Sequence, residues 1–302
     1  MKPVVGIGIA CLDHLIVVPK ASKHGGHVAD YRMEGGGLTA SALVAAARLG
    51  APTRLWTSLG DDEIGLAIAQ GLAREGVDTS GIHFVRGARS PVSVVHIESP
   101  SGERTIYHFR GNAFEAAEVL ANLDEIEKAG ALLVDSTWHT GALAGTRRTH
   151  DAGVPVIGDF DPRRDPELAA ELDYLIVSEQ VGKSLANGPD VRIALQCLRE
   201  FGPLFVAITA GAHGCWYLAG DSVSHCPAFR VDVVDTTGAG DAFHGAFGFA
   251  IAQGWQVSEA VRLGCAVGAL CCTALGGRAG LPDLPTAQAL LRGSLTEQAP
   301  QR

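Results

Sequence analysis

The sequence predicts an α/β fold: a central, mainly parallel sheet with helices on both faces, plus a small second β-sheet. Three observations carry this. Short β-branched runs alternate with helical patterns along most of the chain, which is the rhythm of a parallel sheet covered on both faces. Two stretches, "HLIVV" near residues 14–18 and "PVSVVHIESPSGERTIYHF" at 91–109, break that rhythm and lack crossover helices. The last third is helix followed by helix.

Taken in order, "VVGIGIA" opens the chain as a buried strand. A helix is expected from Thr39 to Leu49, with Gly50 as its stop. "TRLWTSLG" is a second strand, and "DDEIGLAIAQGLAREG" a helix with acids in its first turn and Arg74 near its last. The 91–109 stretch reads as a hairpin turning at "SPSGE". With the early strand it is expected to form a small antiparallel sheet that projects as a lid, its strands at about residues 12–34 and 91–110. "ALLVD", "VPVIGDF", "YLIVS" and "LFVAIT" are further strands of the main sheet. "RVDVVD" is extended, "TTGAGD" turns, and "AFHGAFGFAIA" is helical. The tail "TEQAPQR" is expected to fray. No linker divides the chain, so residues 1–302 are read as one domain.

Composition removes several function classes. A formal charge of −9 does not suit a nucleic-acid binder, because such proteins concentrate positive charge. No run approaches the roughly 20 apolar residues of a membrane span. Asp13 and His14 interrupt the apolar start, unlike a signal peptide. The seven cysteines are scattered and without a CxxC pair, as expected for free thiols in a reducing cytoplasm. There is no GxxxxGK[ST] loop, no HExxH and no Cys/His ligand cluster. "GIGIA" lacks the third glycine of a dinucleotide fingerprint and runs into "CLDHL" instead of a helix. "DTTGAG" has one threonine more than the aspartic-protease signature and no second copy.

The informative stretch is "VVDTTGAGDAFHGAF", residues 233–247. Gly238 and Gly240 let the backbone approach a ligand and aim successive N–H groups into one concavity, at the mouth of a helix. That is a phosphate cradle. Asp241 lies in the first helical turn, where aspartate serves as a capping residue. A carboxylate beside an anion hole also suits phosphoryl transfer, since it takes the proton of an attacking hydroxyl. The two roles are compatible.

At these residues the chain resembles the ribokinase-like (PfkB) carbohydrate kinase family. "DTTGAGDAFHGAF" is similar to the family's C-terminal signature and "GGGLTASALVAAARLG" (35–50) to its N-terminal glycine signature. "TSLGDDEIGLAIAQGLAREGVDT" (57–79) and "ITAGAHGCWYL" (208–218) lie between them at family-like spacing. The resemblance covers essentially the whole chain. It implies an ATP- and Mg²⁺-dependent sugar kinase whose lid closes over the sugar. It implies Asp241 as base and Gly238, Ala239 and Gly240 as anion hole. Asp13, Gly36, Gly37 and Ser41 are implied in the sugar pocket, and Thr209, Gly211 and Gly214 at the nucleotide. Asp235 and Thr237, with Cys271, Ala274 and Gly276, are implied around a monovalent cation such as K⁺ in members that hold one. A homodimer through the lid sheet is also common in the family.

Within the family, "PAFRVDVVDTTGAGDAFHGA", "CTALGGRAGLPD" and "WHTGA" resemble bacterial sulfofructose kinases. The positions that bind the sulfonate there correspond to His27, His108 and Thr137, which lack the lysine and arginine a sulfonate favours. Leu38 and Ser41 replace a lysine and an asparagine common in the family. The usual NxxE, which organises magnesium, reads Ser178 to Val181, leaving two expectations: Glu179 compensates, or magnesium is held mainly by nucleotide phosphates and water. A serine of the ribokinase cation loop is Gly280. Asp159, Asp161 and Arg163 end a strand where the family's phosphate-facing charges lie. His139 is read as a pocket-edge residue, His244 as packing or a supporting hydrogen bond, and Arg278 as reaching ATP phosphates, substrate or solvent. The expected function is transfer of the γ-phosphoryl of ATP to a sugar hydroxyl, primary by preference. The alternatives are a nucleoside kinase of the same fold and a catalytically silent sugar- or nucleotide-binding regulator.

Overall fold

The computed structural model describes residues 1–19, 26–98, 104–116, 123 and 125–293. The "SPSGE" turn and the "TEQAPQR" tail lie outside the described residues. The chain opens with Val4–Ile7 (β1), passes through Cys11–Val18 (β2) and Asp30–Gly36 (β3), and enters the helix Leu38–Arg48 (α1). Thr53–Gly60 (β4), the helix Glu63–Arg74 (α2), Val77–Asp78 (β5) and Ile82–Val85 (β6) follow. Next are Val92–Glu98 (β7), Arg104–Phe109 (β8) and the single turn Ala113–Ala116 (α3). The alternating middle runs Ala131–Val134 (β9), His139–Ala152 (α4), Val156–Gly158 (β10), Pro166–Ala170 (α5) and Tyr174–Ser178 (β11). It continues through Glu179–Leu185 (α6), Val191–Arg199 (α7) and Phe205–Thr209 (β12). Cys215–Ala219 (β13), Ser222–Cys226 (β14) and the helices Ala239–Ala252 (α8), Val257–Cys271 (α9) and Leu284–Leu291 (α10) complete it.

The main sheet has the order β14-β13-β12-β11-β10-β9-β1-β4-β5, with β6 also pairing to β4. Every pair from β12 to β5 is parallel, and β13 pairs antiparallel with both β12 and β14. Strand residues alternate between two cores. Ala131, Leu133, Ile157, Ile176 and Ala207 pack with α1, α2, α8 and α9 on one face. Leu132, Val134, Val156, Leu175, Val177 and Val206 pack with α4, α5 and α7 on the other. Apolar residues on both sides of each strand are what a doubly covered sheet requires. Because the strands are parallel, all their carboxyl ends, with Asp135, Asp159 and Ser178, open toward one edge, where ligands bind in such sheets. No helix among the described residues is long and apolar enough to cross a membrane.

The second sheet, β3-β2-β7-β8, is mixed and not antiparallel as expected. Its outer pairs are antiparallel, but the central pair β2–β7 is parallel. The reason is topological: β2 and β7 both leave the main body in the same direction, each following a main-sheet segment. A second difference concerns "RVDVVD", which is irregular. Val233 and Val234 are both 61 % exposed, so no neighbouring strand covers them. The backbone N–H groups of Val234 and Asp235 instead donate to the Cys272 carbonyl.

Helices α1 and α8 approach closely at Gly245. A Cβ there would run into the Ala42 carbonyl oxygen and press on Ala45. Gly245→Val is expected to cost roughly 1–3 kcal/mol through overpacking. Gly71, mid-α2, faces open space, so Gly71→Ala is expected to stabilise by up to about 1 kcal/mol. Urea titration of the two variants checks the contrast, and equal midpoints would contradict this packing.

Candidate active site

The first turn of α8 is built by glycine. Gly238 is its N-cap in the left-handed conformation, φ 72°, and its α-carbon faces the Gly277 backbone so closely that a Cβ would collide with it. Only glycine accepts both conditions. The following N–H groups, of Ala239, Gly240 and Asp241, lie in the first helical turn, where they have no partner within the helix. Asp241 is therefore the third helical residue and not the cap, and no side chain caps this helix. The Ala239 N–H reaches the Thr236 carbonyl at 3.4 Å, and a first turn with such N–H groups and the helix dipole behind it suits an anion.

Two cavities adjoin this edge of the sheet. One, of about 560 Å³, is lined by Thr209, Gly211 and Gly214, by Ala239 and Gly240, by Cys265 and Gly268 of α9, and by Cys272 at its C-cap. It brings the residues expected at the nucleotide together with the α8 turn. The other, of about 450 Å³, is lined by Leu38, Asp135, Thr137, Asp159, Asp161, Arg163, Ser178 and Arg110.

The residues expected at a sugar meet beneath the small sheet. Asp13, Glu34, Ser93 and His108 are register partners across its four strands, so they share one face. Asp13 lies against the α-carbon of Gly36, where a Cβ would displace its carboxylate. Gly37 enters α1 at φ 97° against the Ile9 carbonyl. Ser93 Oγ is 3.1 Å from His108 Nδ1 and 3.7 Å from Cys11 Sγ, which donates to Asp13 Oδ1 at 3.2 Å. Arg278 is 7 % exposed; its Nε donates to Ser41 Oγ at 3.4 Å and its Nη2 to the Gly36 carbonyl at 3.2 Å. It is neither a solvated loop residue nor part of the 560 Å³ cavity lining; it lies under the lid glycines.

Two buried carboxylates hold the loops. Asp135 accepts from the Ile9 N–H, the Thr39 hydroxyl and the Thr137 N–H, at 2.7–2.8 Å. Asp235 accepts from the N–H and hydroxyl of Thr237 and from the Gly276 N–H, at 2.8–2.9 Å. Cys271, whose thiol burial pushes up to about 12, donates toward the carbonyls of Thr237 and Gly277. Ala274 is half-buried in the same loop. Asp235 thereby ties the residues before α8 to the loop after α9.

The electrostatics converge on Asp241. Burial pushes its carboxyl well above the ordinary range, and Asp159, Asp13 and Asp135 push it further, while Arg278 opposes them. Burial also raises Asp159, against the pull of His244. A more basic carboxylate is a better proton acceptor.

A family model of pfkB carbohydrate kinases matches residues 1–284. The chain belongs to that family. It is 30 % identical to the ribokinase of Bacillus subtilis over 298 residues, which span 96 % of this chain and 100 % of that one. It is 31 % identical to the aminoimidazole riboside kinase of Salmonella typhimurium, over 82 % of this chain and 84 % of that one. The Arabidopsis thaliana ribokinase complexed with ribose and ATP superposes with a TM-score of 0.86 at 26 % identity, over 96 % of this chain and 99 % of that one. The protein is thus a sugar or nucleoside kinase of the pfkB family, a phosphotransferase with an alcohol acceptor.

Three residues singled out from the sequence stand apart from the kinase's cavities. His139 bonds through Nδ1 to Asp165 at 2.7 Å, at the packing of α4 on α5, and lines neither cavity. Glu179 pairs with Lys183 one turn on, at 2.9 Å, while its neighbours Ser178 and Gln180 line the 450 Å³ cavity. His27 is exposed in the connection between β2 and β3. Sequence reasoning in turn passed over Asp135, Glu34 and Ser93. An aspartate ending a β-branched run was the signal for Asp135; the other two become visible only through strand register.

Asp241 has a stability consequence. Folded Asp241 holds its proton more tightly than in the unfolded chain, so the folded state binds more protons above the ordinary carboxylate value of about 3.9. Stability then falls as pH rises through that window, and at neutral pH the ionised side chain is a net cost. Asp241→Asn is expected to melt at or above the wild-type temperature at pH 7.5 and to lose this advantage near pH 3–4. A lower melting temperature at pH 7.5 would contradict the raised value.

Proposed function

We propose that this kinase transfers the γ-phosphoryl group of ATP to a hydroxyl of a sugar, with Asp241 as the base. The observation that carries the reading is the shared turn of α8. Ala239 and Gly240 line the cavity of Thr209, Gly211 and Gly214, and the next residue, Asp241, feels the charges of Asp13 and Arg278 on the sugar side. A phosphoryl group passing between the two ligands would meet that turn. ATP occupies the 560 Å³ cavity with its phosphates toward the Ala239–Asp241 amides. The sugar lies under the small sheet against Asp13, Ser41 and Arg278. Asp241 takes the hydroxyl proton, and the amides receive the charge that gathers on the phosphoryl oxygens. The small sheet acts as a lid that excludes water, which would otherwise compete as acceptor.

Among the described residues no group of three or more His, Cys, Asp or Glu side chains forms a metal cage. That fits Mg²⁺, which arrives held mainly by phosphate oxygens and water. Asp159 and Asp161 would be the carboxylates at hand beside the phosphates. Mg²⁺ would neutralise phosphate charge during transfer.

A sugar is favoured over a nucleoside. Tyr107 and Phe109 are register partners of Val94 and Val92, on the face opposite Asp13, Ser93 and His108, so they give a base no aromatic slot there. That outer face leaves Tyr31, Met33 and Tyr107 50–63 % exposed, and a second copy of the chain would cover it. The seven free thiols suit a cytoplasmic setting.

An ADP-release assay over ketoses, aldoses, sugar acids, sulfofructose and nucleosides tests the substrate class. Turnover of a sugar is expected; sugar binding without turnover of any acceptor would favour the silent regulator. Asp241→Asn is expected to lower kcat at least ~10²-fold, as removal of a positioned base does. Near-normal activity in that variant would sink the assignment. Met33→Lys with Tyr107→Lys is expected to turn a dimer into a monomer by light scattering. A monomeric wild type at tens of micromolar would refute the dimer.

A further inference from the structure

His244 lies on α8 three residues beyond Asp241 and is 4 % exposed. Its Nδ1 is 2.8 Å from the Gly240 carbonyl oxygen and 3.3 Å from Asp159 Oδ2. Its Nε2 is 3.1 Å from the Ile176 carbonyl oxygen. A carbonyl cannot donate, so a ring nitrogen bonds to one only through its N–H, and the tautomer sets which nitrogen carries it. Volume filling alone would be met by an apolar ring, without the cost of burying nitrogens that need partners. The partners are also not arbitrary. Gly240 is the middle residue of the anion-binding turn, Asp159 follows β10 and lines the 450 Å³ cavity, and Ile176 belongs to β11.

We propose that His244 is a positioning residue for phosphoryl transfer: it clamps the first turn of α8 to β10 and β11 and so sets the aim of the Ala239–Asp241 amides. The inference rests on the kinase reading of the site. It goes beyond that reading by assigning part of the transition-state geometry to a side chain that touches neither ligand pocket. The ring joins the end of α8 to β10 and β11, two ladder partners with which a packed helix end shares no ladder of its own. Its polar contacts go to Gly240, Asp159 and Ile176 and not to Asp13, Ser41 or Arg278. Loss of the clamp is therefore expected to act on the chemical step and to leave sugar binding in place. Misplacing reacting groups by about 1 Å costs on the order of 10²-fold in rate.

The test compares wild type, His244→Phe and His244→Asn. Phenylalanine keeps the ring and removes its donors; asparagine retains an amide donor near the Nδ1 position. The readouts are kcat, KM for the sugar, and binding of ADP with and without aluminium fluoride, a mimic of the transferring phosphoryl group. His244→Phe is expected to lose about 10–10² in kcat and a similar factor in the extra affinity that aluminium fluoride confers on ADP. Its KM for sugar and its affinity for ADP alone are expected to stay within about 3-fold, the split a transition-state interaction gives. His244→Asn is expected to recover most of the loss, and it carries the test on its own if the phenylalanine variant does not fold. Wild-type kcat and aluminium fluoride binding in His244→Phe would overturn the proposal. So would an equal loss of ADP binding, sugar binding and kcat in both variants, which marks a purely structural residue. A wild-type protein that neither phosphorylates any acceptor nor binds ADP more tightly with aluminium fluoride would instead refute the kinase reading beneath it.

Discussion

A carboxylate taken out of water must find donors, and the crevice of this protein is organised around that requirement. Asp135 is 1 % exposed and Asp235 is 7 % exposed. Each satisfies itself with N–H and hydroxyl groups from loops that are far apart in sequence. Asp135 thereby draws the end of β1 and the start of α1 to the end of β9. Asp235 draws the approach to α8 onto the loop that follows α9. Neither needs to take part in chemistry. With the Arg278 bond to the Gly36 carbonyl and the Cys271 bonds to the Thr237 and Gly277 carbonyls, they hold the loops of the two glycine turns, at Gly37 and Gly238, in place.

On that scaffold a second set of carboxylates is left under-satisfied. Asp241 and Asp159 share the low-dielectric edge of the sheet, and burial raises the carboxyl of each. Asp13 adds its charge against Asp241, the buried guanidinium of Arg278 opposes it, and burial works in turn against the charge of Arg278. The two sets divide the labour. The fully bonded acids fix geometry, and Asp241 and Asp159 keep a raised proton affinity. The tilt toward negative charge also suits the placing of a helix N-terminus beside them. A helix end offers positive potential without placing another cation beside the acids.

The fold was legible in the sequence because parallel strands buried on both faces leave a strong local signal. "TRLWTSLG" and "YLIVS" coincide with β4 and β11 to the residue. The α8 turn was legible for a similar reason, since its conformation demands glycine at Gly238. What stayed hidden depends on contacts between distant segments. "RVDVVD" has a strand's composition, but no neighbouring strand is there to pair with it, and the Cys272 carbonyl takes its N–H groups instead. The raised carboxyl of Asp241 was invisible because it comes first from burial in the folded crevice and then from Asp159, Asp13 and Asp135, which other segments bring in. His139 looked like a ligand-edge residue from its place after β9. It was claimed by Asp165, which no local pattern announces.

The parallel pairing at the centre of the small sheet carries a consequence for assembly of the chain. β2 and β7 are separated by β3, α1, β4, α2, β5 and β6, so the pair cannot close as a local hairpin. Its formation waits on a long-range contact, the slow kind in folding. The small sheet is therefore not a portable module. Grafting β7 and β8 alone onto a relative would transfer an edge without its centre. In a growing chain the small sheet remains half-built until the first body of the main sheet has been laid down.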